Sequence, residues 1–319
     1  MRPFVFLRPT SVADAVRAGG DGAAFLAGGT ELVPWLKDGI ANPTVVADIN
    51  GLGLAGITID DANLRIGATT RLADLACHPD VRRECPALAQ AIEQSASTTI
   101  RHQASLAGNL MQGTRCPYFR TVGAPEAFGC DLRAPGSGCA ARTGDHRAAS
   151  LFTAPSGCVA VQPSDPAVAL VLAEALIRIV GPAGERTTPV ESLFALGAGH
   201  RALAPGELIT DVVIARGDRT RRSRFGKVRD RASFDFALVS AAVGGLPERP
   251  EIVVGGVQWG PRRCRIAEAA LAGGPLGEAR LRAALALEFA GAIGLPGNRF
   301  KAELAVRLVS DLLLADQNR

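Results

Sequence analysis

The stretch Phe25-Leu-Ala-Gly-Gly-Thr-Glu-Leu-Val33 leads from an apolar strand directly into a helix through the turn Gly28-Gly29-Thr30. Paired glycines let a backbone approach a diphosphate group closely, because no Cβ atom fills the space. The first N–H groups of the helix can donate to such an anion, and the Thr30 hydroxyl can cap the helix or bind a phosphate oxygen. Taken alone the turn is a weak signal, since similar turns occur in proteins that bind no anion.

The residues around this turn predict a small alternating α/β layer over residues 1–57. Helices are predicted at 11–18 and 32–37, and strands at 23–26 and 44–49. A second unit, 58–196, is predicted to hold short strands, helices and a hairpin. It contains a cysteine-rich insertion at 113–158, where no hydrophobic period is sustained.

A third unit is predicted at 197–319. Its strand-like runs are 208–214, 223–229 and 251–257, and helices follow at 265–271, 278–290 and 298–314. Three strands backed by amphipathic helices predict a smaller α+β domain with a three-stranded antiparallel sheet.

Composition narrows the classes of function. At 319 residues and 47% hydrophobic, the chain can bury more than one core. Its 35 Lys and Arg face 31 Asp and Glu and are spread along the sequence, which argues against nucleic acid as a partner. No apolar run reaches the roughly 18 residues of a membrane span, and the start lacks a signal-peptide pattern. We therefore expect a soluble, cytoplasmic protein.

Two further glycine patterns occur in the sequence, and each has a structural as well as a ligand-binding interpretation. Gly51, Gly53 and Gly56 form a GxGxxG after an apolar strand, but a strand pattern follows them, so ordinary turn glycines are the favoured interpretation. Around Ser105 and Gly108, small residues suit a loop packed on a flat ligand and its phosphates. A helix ending in a Gly-Asn turn is an equally good local interpretation.

Taken together, the motifs resemble a family. They occur in the order found in the FAD-binding (medium) subunits of molybdenum hydroxylases, the xanthine dehydrogenase and carbon monoxide dehydrogenase family. They are Ala27-Gly-Gly-Thr30, Ile100-Arg-His-Gln-Ala-Ser-Leu-Ala-Gly-Asn-Leu110, Ser164-Asp-Pro-Ala, Glu207-Leu-Ile-Thr and Lys227-Val-Arg-Asp-Arg-Ala-Ser-Phe-Asp-Phe-Ala237. The resemblance implies an α+β protein with a two-subdomain FAD-binding domain followed by the smaller α+β domain.

The resemblance also implies which residues hold FAD. They are Leu26, Ala27, Gly28, Gly29, Thr30, Glu31, Leu32, Ser105, Gly108, Asn109, Asp165, Leu208 and Lys227. The first turn would cradle the diphosphate, residues 105–109 would form a second wall, and Asp165 would hold a ribityl or ribose hydroxyl. Leu208 and Lys227 would lie near the flavin ring, where a lysine can stabilise the charge of reduced flavin. His102 and Ala107 depart from the family's frequent Asn and Gly.

The cysteines carry the remaining signal. Seven cysteines without an export signal argue against a disulfide framework. The insertion resembles that of the 4-hydroxybenzoyl-CoA reductase flavin subunit, which implies a 4Fe-4S cluster on Cys116, Cys130, Cys139 and Cys158. Zinc, with His146 as a substitute ligand, and unligated thiols remain alternatives. The other three are interpreted as buried small hydrophobic residues: Cys77, Cys85 and Cys264.

The resemblance therefore implies an electron-transfer subunit of an oxidoreductase complex. FAD would exchange electrons with partner iron–sulfur centres, the chain's own cluster and an external carrier, which could be ferredoxin, NAD or a quinone. The partners implied are a large molybdenum-cofactor subunit and a small 2Fe-2S subunit. The alternatives are a self-contained flavin oxidoreductase and a non-catalytic metal-binding scaffold.

Overall fold

The computed structural model describes residues 1–121, 128–195, 203–246 and 248–315. Within these ranges the chain forms three β-sheets flanked by helices. None of the helices in the described ranges combines the length and apolarity that a bilayer crossing needs.

The first sheet is parallel, with strand order β1-β3-β2. Parallel neighbours need crossover connections, and two helices supply them here. Ser11 caps the first helix by accepting from the backbone N–H of Asp14. The elements are β1 (Val5–Leu7), α1 (Val12–Gly20), β2 (Ala24–Leu26), α2 (Leu32–Asp38) and β3 (Val45–Asp48). The helices and strands predicted for this segment are therefore present.

The second sheet is antiparallel and has five strands in the order β4-β5-β8-β6-β7. The strands are β4 (Ile57–Ile59), β5 (Asn63–Gly67), β6 (Leu176–Gly181), β7 (Gly184–Pro189) and β8 (Leu208–Ala215). The helices of this part of the chain are α3 (Leu72–Cys77), α4 (Pro79–Glu84), α5 (Pro86–Glu93), α6 (Thr98–Gln103), α7 (Leu106–Leu110) and α9 (Asp165–Leu172). All eight residues of α9 are buried.

The third sheet is also antiparallel. After α10 (Asp218–Arg221) come three substantial strands, β9 (Arg224–Val228), β10 (Val239–Leu246) and β11 (Arg249–Gly255), with a two-residue edge strand β12 (Arg262–Arg263). The helices α11 (Arg265–Leu271), α12 (Glu278–Phe289) and α13 (Phe300–Leu314) pack with this sheet around a second core. The predicted α+β class and its C-terminal antiparallel sheet with helices are confirmed.

One strand was grouped wrongly. The run 208–214 was predicted to belong with the C-terminal strands, but β8 lies between β5 and β6, with Val212 opposite both Ile66 and Ile177. Its place in the C-terminal sheet is taken by β10, whose sequence Val-Ser-Ala-Ala-Val-Gly-Gly-Leu gives a weak strand signal because small residues predominate. The boundaries between the predicted domains stay predictions.

The described residues of the cysteine-rich insertion, 113–121 and 128–158, have little regular structure. They include the short helix α8 (Pro117–Arg120) and a 3₁₀ turn, Ala140–Arg142. Its two ends are held together: Gln162 Nε2 donates to the carbonyls of Leu110 (3.3 Å) and Gln112 (3.1 Å). The insertion therefore leaves and rejoins the fold at one place.

The start of α13 fastens the last part of the insertion. Lys301 is fully buried, and its Nζ donates to the carbonyls of Ala149 (2.8 Å), Ala148 (3.2 Å) and Gly256. Burial lowers the pKa of Lys301 to about 7, and the charge of Arg147 acts in the same direction. Asn298 donates to the carbonyls of Ala149 and Ser150, at 3.0 Å each.

Lys301→Met is expected to lower the free energy of unfolding by about 2–4 kcal/mol, because the buried carbonyl of Gly256 loses this donor and those of Ala148 and Ala149 each lose one hydrogen bond. Urea unfolding with an unchanged m-value would measure this effect. Lys37→Met, at an exposed lysine of α2, is the matched control and should not change stability measurably. An unchanged or higher unfolding free energy in Lys301→Met would mean that desolvation of the ammonium outweighs its hydrogen bonds.

Candidate functional site

A cavity of about 410 Å³ opens between the first sheet and the second. Ligand sites typically occupy roughly 300–1,000 Å³. One wall is the 27–32 segment, which connects β2 to α2. The opposite walls are Ser105, Ala107 and Gly108 at α7, and residues 203–209 leading into β8. The two glycine segments that the sequence singled out therefore face one space.

The first glycine turn packs tightly on the end of α6. A Cβ atom built on Gly28 would lie 1.8 Å from the carbonyl oxygen of Gln103, so no other residue fits there without a shift of the backbone. Gly29 has a φ of +72°, a backbone conformation that residues other than glycine rarely adopt. The fold of the turn itself therefore favours glycine at both positions.

Two polar side chains, neither assigned to the site from the sequence, hold this turn. Asn50 Nδ2 donates to the carbonyl of Ala27 (2.9 Å), and Arg71 Nη2 donates to Asn50 Oδ1 (3.0 Å). Arg71 Nη1 also donates to the carbonyl of Gln103, at 2.6 Å. Asn50 directly precedes the GxGxxG glycines, which lie in turns before β4, as the favoured interpretation expected.

The second glycine segment is fixed to the edge of the same space. The N–H of Ala107 donates to the carbonyl of Ala68, and that of Leu106 to the carbonyl of Thr70, both at 3.0 Å. Ser105 caps α7 by accepting from the N–H of Gly108, at 3.2 Å. The first two bonds fix α7 to the segment 68–70, which follows β5 and also contributes to the cavity lining.

The cavity brings together most of the residues expected to bind FAD. Those on its lining are Ala27, Gly28, Gly29, Thr30, Glu31, Leu32, Ser105, Gly108 and Leu208. Sequence reasoning missed Phe25, Trp35 and Thr69, which also line it. Trp35 stands one turn beyond Glu31 on α2, so a helical-wheel view of that segment was the signal that could have found it.

The remaining expected residues are placed elsewhere. Leu26 belongs to β2, and Asn109 accepts a hydrogen bond of 2.5 Å from the Ser164 hydroxyl. Asp165 and Lys227 form a buried ion pair, with Nζ 2.7 Å from Oδ2 and side chains 5% and 1% exposed. Burial raises the pKa of Asp165, while the Lys227 ammonium opposes that rise.

Asp165 also reaches the wall of a second cavity, of about 100 Å³. That cavity lies between the insertion and the third sheet, with Arg115, Cys116 and Phe236 among its lining. The flavin-binding roles of Asn109, Asp165 and Lys227 stay predictions.

The four insertion cysteines converge. Cys116, Cys130, Cys139 and Cys158 all line one small cavity of about 20 Å³, and all four are free thiols. Burial raises the pKa of Cys116, and it raises that of Cys158 to about 11; the neighbouring thiols contribute in the same direction.

Even so, within the described residues no group of three or more His, Cys, Asp or Glu side chains is arranged to hold a metal ion. His146 lies outside the cysteine cavity, and its Nε2 accepts from the N–H of Gly297 at 2.9 Å. The metal assignment of the insertion stays a prediction. Cys85 and Cys264 are buried as expected, but Cys77 is exposed, so its interpretation as a buried residue was wrong.

Comparison with known proteins bears on these features. Residues 2–216 match the family described as the FAD binding domain in molybdopterin dehydrogenase. The chain is 39% identical to the aldehyde oxidoreductase FAD-binding subunit PaoB of Escherichia coli (strain K12) over 98% of both proteins. It is 26% identical to the carbon monoxide dehydrogenase medium chain of Hydrogenophaga pseudoflava over 75% of this chain and 68% of that protein.

Solved structures share the fold. A chain of quinoline 2-oxidoreductase from Pseudomonas putida 86 superposes with a TM-score of 0.75 at 20% identity, covering 98% of this chain and 96% of that one. A chain of carbon monoxide dehydrogenase from Hydrogenophaga pseudoflava gives a TM-score of 0.72 at 24% identity, covering 99% and 96%.

The family match extends over more than half of the chain, and the similarity to PaoB extends over nearly all of it. Both matches are to FAD-binding proteins, and the cavity between the two glycine turns has a size suited to a ligand. This chain belongs to the family of FAD-binding medium subunits of molybdenum hydroxylases, the flavoprotein components of these oxidoreductases.

Proposed function

We propose that this chain binds FAD in the cavity between the two glycine turns and transfers electrons within a molybdenum hydroxylase complex. Its partners would be a large molybdenum-cofactor subunit and a small 2Fe-2S subunit. The observation that supports this most is the convergence of the segments 27–32 and 105–108 on a single cavity of about 410 Å³.

The residues of the cavity suit the cofactor. Phe25, Trp35 and Leu208 offer apolar surface, while Thr30 and Ser105 offer hydroxyl groups beside the glycines. Trp35 Nε1 is buried without a hydrogen-bond partner in the described part of the chain, which makes it a donor free to meet a ligand. FAD supplies the redox chemistry when bound, and the protein supplies binding, orientation and electrostatics.

Lys227 is proposed to act on the flavin's electronics. Its ammonium is held by Asp165 and by the carbonyl of Gln94 (3.2 Å). A fixed buried cation favours the anionic form of a nearby reduced flavin more than the neutral oxidised form. Asp165 would then set the position of that cation.

We further propose a 4Fe-4S cluster on Cys116, Cys130, Cys139 and Cys158. The support is the donor set: four thiols from one insertion face one small cavity, and thiolates are the usual ligands of such a cluster. A cluster would add a centre that carries single electrons, which favours a one-electron carrier such as ferredoxin over NAD.

The similarity to PaoB suggests an aldehyde as the substrate of the whole complex, acted on at the molybdenum subunit. The relation to 4-hydroxybenzoyl-CoA reductase and a cytoplasmic location stay predictions.

The purified chain is expected to bind about one FAD, and Gly29→Ala is expected to weaken that binding at least tenfold, or about 1.4 kcal/mol. Gly29 lines the cavity, and a Cβ atom there would lie 3.1 Å from Val33 Cγ2, so the turn would have to shift. Gly39→Ala is the matched control, since Gly39 also has φ of +72° but lies in open space at the end of α2. Flavin absorbance and fluorescence titration measure both. Equal FAD affinity in the two variants would mean that the diphosphate does not bind at this turn.

Lys227→Met is expected to lower both the flavin midpoint potential and the unfolding free energy, the latter by about 3–5 kcal/mol, because it leaves Asp165 buried without its partner. Adding Asp165→Asn removes the carboxylate charge that Lys227→Met leaves unbalanced, so it should recover part of the stability and part of the lost potential. Spectroelectrochemistry and urea unfolding separate the two effects. A potential equal to that of the wild type in Lys227→Met would leave this lysine a structural role only.

The full chain, expressed without partners, is expected to contain about four irons and four acid-labile sulfides when prepared anaerobically. Cys130→Ser should lose or convert the cluster, whereas Cys77→Ser, at an exposed thiol outside the insertion, should keep it. Iron and sulfide analysis with electron paramagnetic resonance would show this. Zinc without iron in the wild type would contradict the cluster, and an absence of both would make the insertion a plain loop.

A further inference from the structure

We propose that Arg115 and Arg120, which lie on either side of Cys116, are positioning residues for FAD. They bind and neutralise Glu31 beside the diphosphate turn, and in this way they couple the FAD cavity to the cysteine-rich insertion. The inference rests on the proposed function, because it assumes that FAD occupies the cavity between the two glycine turns.

Glu31 is the centre of this contact. It follows Thr30 directly, lines the FAD cavity, and has a side chain only 16% exposed. Arg115 Nη1 lies 2.8 Å from Oε2, and Arg120 Nη2 donates to Oε1. The backbone N–H of Gly113 donates to the same Oε1, at 3.0 Å. Three groups from the first residues of the insertion therefore meet one carboxylate of the FAD site.

A second contact lies on the same face of α2. The Trp35 ring packs edge-on against Phe119, with ring centroids 5.7 Å apart, and the Arg120 guanidinium lies 5.6 Å from the centre of the Trp35 ring. A Cβ atom on Gly113 would come within 2.4 Å of that ring, so the insertion closes directly against it. Residues four apart on a helix share a face, and Glu31 and Trp35 thus form one platform for the insertion.

The charges of Glu31 and its two arginine partners should affect how strongly FAD binds. An unpaired carboxylate beside the cavity would repel the negatively charged diphosphate, and partial burial weakens the screening by water. Two guanidinium groups leave the cluster of three side chains with a surplus of positive charge, which attracts the diphosphate instead. Any coupling between the two sites is reciprocal, so FAD should also order the start of the insertion.

Arg115 is the better residue to test. Arg120 also donates to the carbonyl of Thr114 (2.8 Å), so removing it would disturb the backbone of the insertion. The other contacts of Arg115 are with side chains: it donates to Gln112 Oε1 (2.9 Å) and lies over the ring of Phe236 (4.9 Å).

The test is a double-mutant cycle on the full chain, with FAD as the titrant and the dissociation constant as the readout. We expect Arg115→Gln to weaken FAD binding by about five- to tenfold, Glu31→Gln to strengthen it because the carboxylate charge is removed, and the double variant to return to within about twofold of the wild type. Arg115→Lys keeps the charge and should keep most of the affinity. The loss in Arg115→Gln should shrink as salt is raised.

The control cycle uses Glu303 and Arg307. Glu303 is another carboxylate that contacts two arginines, Arg282 and Arg307, but it lies on an exposed helix surface away from the cavity. It should leave FAD binding unchanged. Hydrogen exchange supplies a readout that does not depend on affinity: FAD should slow exchange across residues 113–120 in the wild type and less so in Arg115→Gln.

The outcomes are distinct. If Arg115→Gln binds FAD like the wild type, or if adding Glu31→Gln does not restore the affinity of Arg115→Gln, the proposed neutralisation of Glu31 is wrong. The proposal that the chain binds FAD would still stand. If FAD leaves exchange at 113–120 unchanged, the coupling is wrong. If the wild type binds no FAD, the proposed function fails and this inference fails with it.

Discussion

The contact between Gly28 and the carbonyl oxygen of Gln103 constrains everything built around the cavity between the two glycine turns. It brings the end of α6 against the β2–α2 turn so closely that no side chain fits between them. Arg71 and Asn50 then close a polar ring that joins Gln103 to Ala27. Because α7 follows α6 after only Ala104 and Ser105, this contact also fixes the second wall of the cavity.

Local patterns were sufficient for elements whose partners are near in sequence. The first sheet and its helices follow from capping by Ser11, apolar runs and glycine turns, all within the first 50 residues or so. Strand β8 was misplaced because pairing with β5, far earlier in the chain, leaves no local trace. Strand β10 went unrecognised because its small side chains suit a crowded interior but carry little strand propensity.

The residues of the candidate site also fall into those that the sequence could predict and those that it could not. The glycine segments could be identified from the sequence, since a turn and its glycines are neighbours. The pairing of Lys227 with Asp165 could not, because the two residues are 62 positions apart and either alone resembles a ligand contact. The four cysteines were singled out by their clustering in the sequence, and the fold adds that they share a cavity.

The way the insertion is attached bears on how such a subunit can diversify. Gln162 bonds back to the carbonyls of Leu110 and Gln112, and Ser164 bonds to Asn109, so the two ends of a segment of more than 40 residues meet at one point of the scaffold. The entropy of closing a loop grows only with the logarithm of its length, so a segment anchored in this way can lengthen or shorten at small thermodynamic expense. The scaffold can thus gain or shed an inserted segment between α7 and α9 while the core that carries the cavity between the glycine turns keeps its architecture.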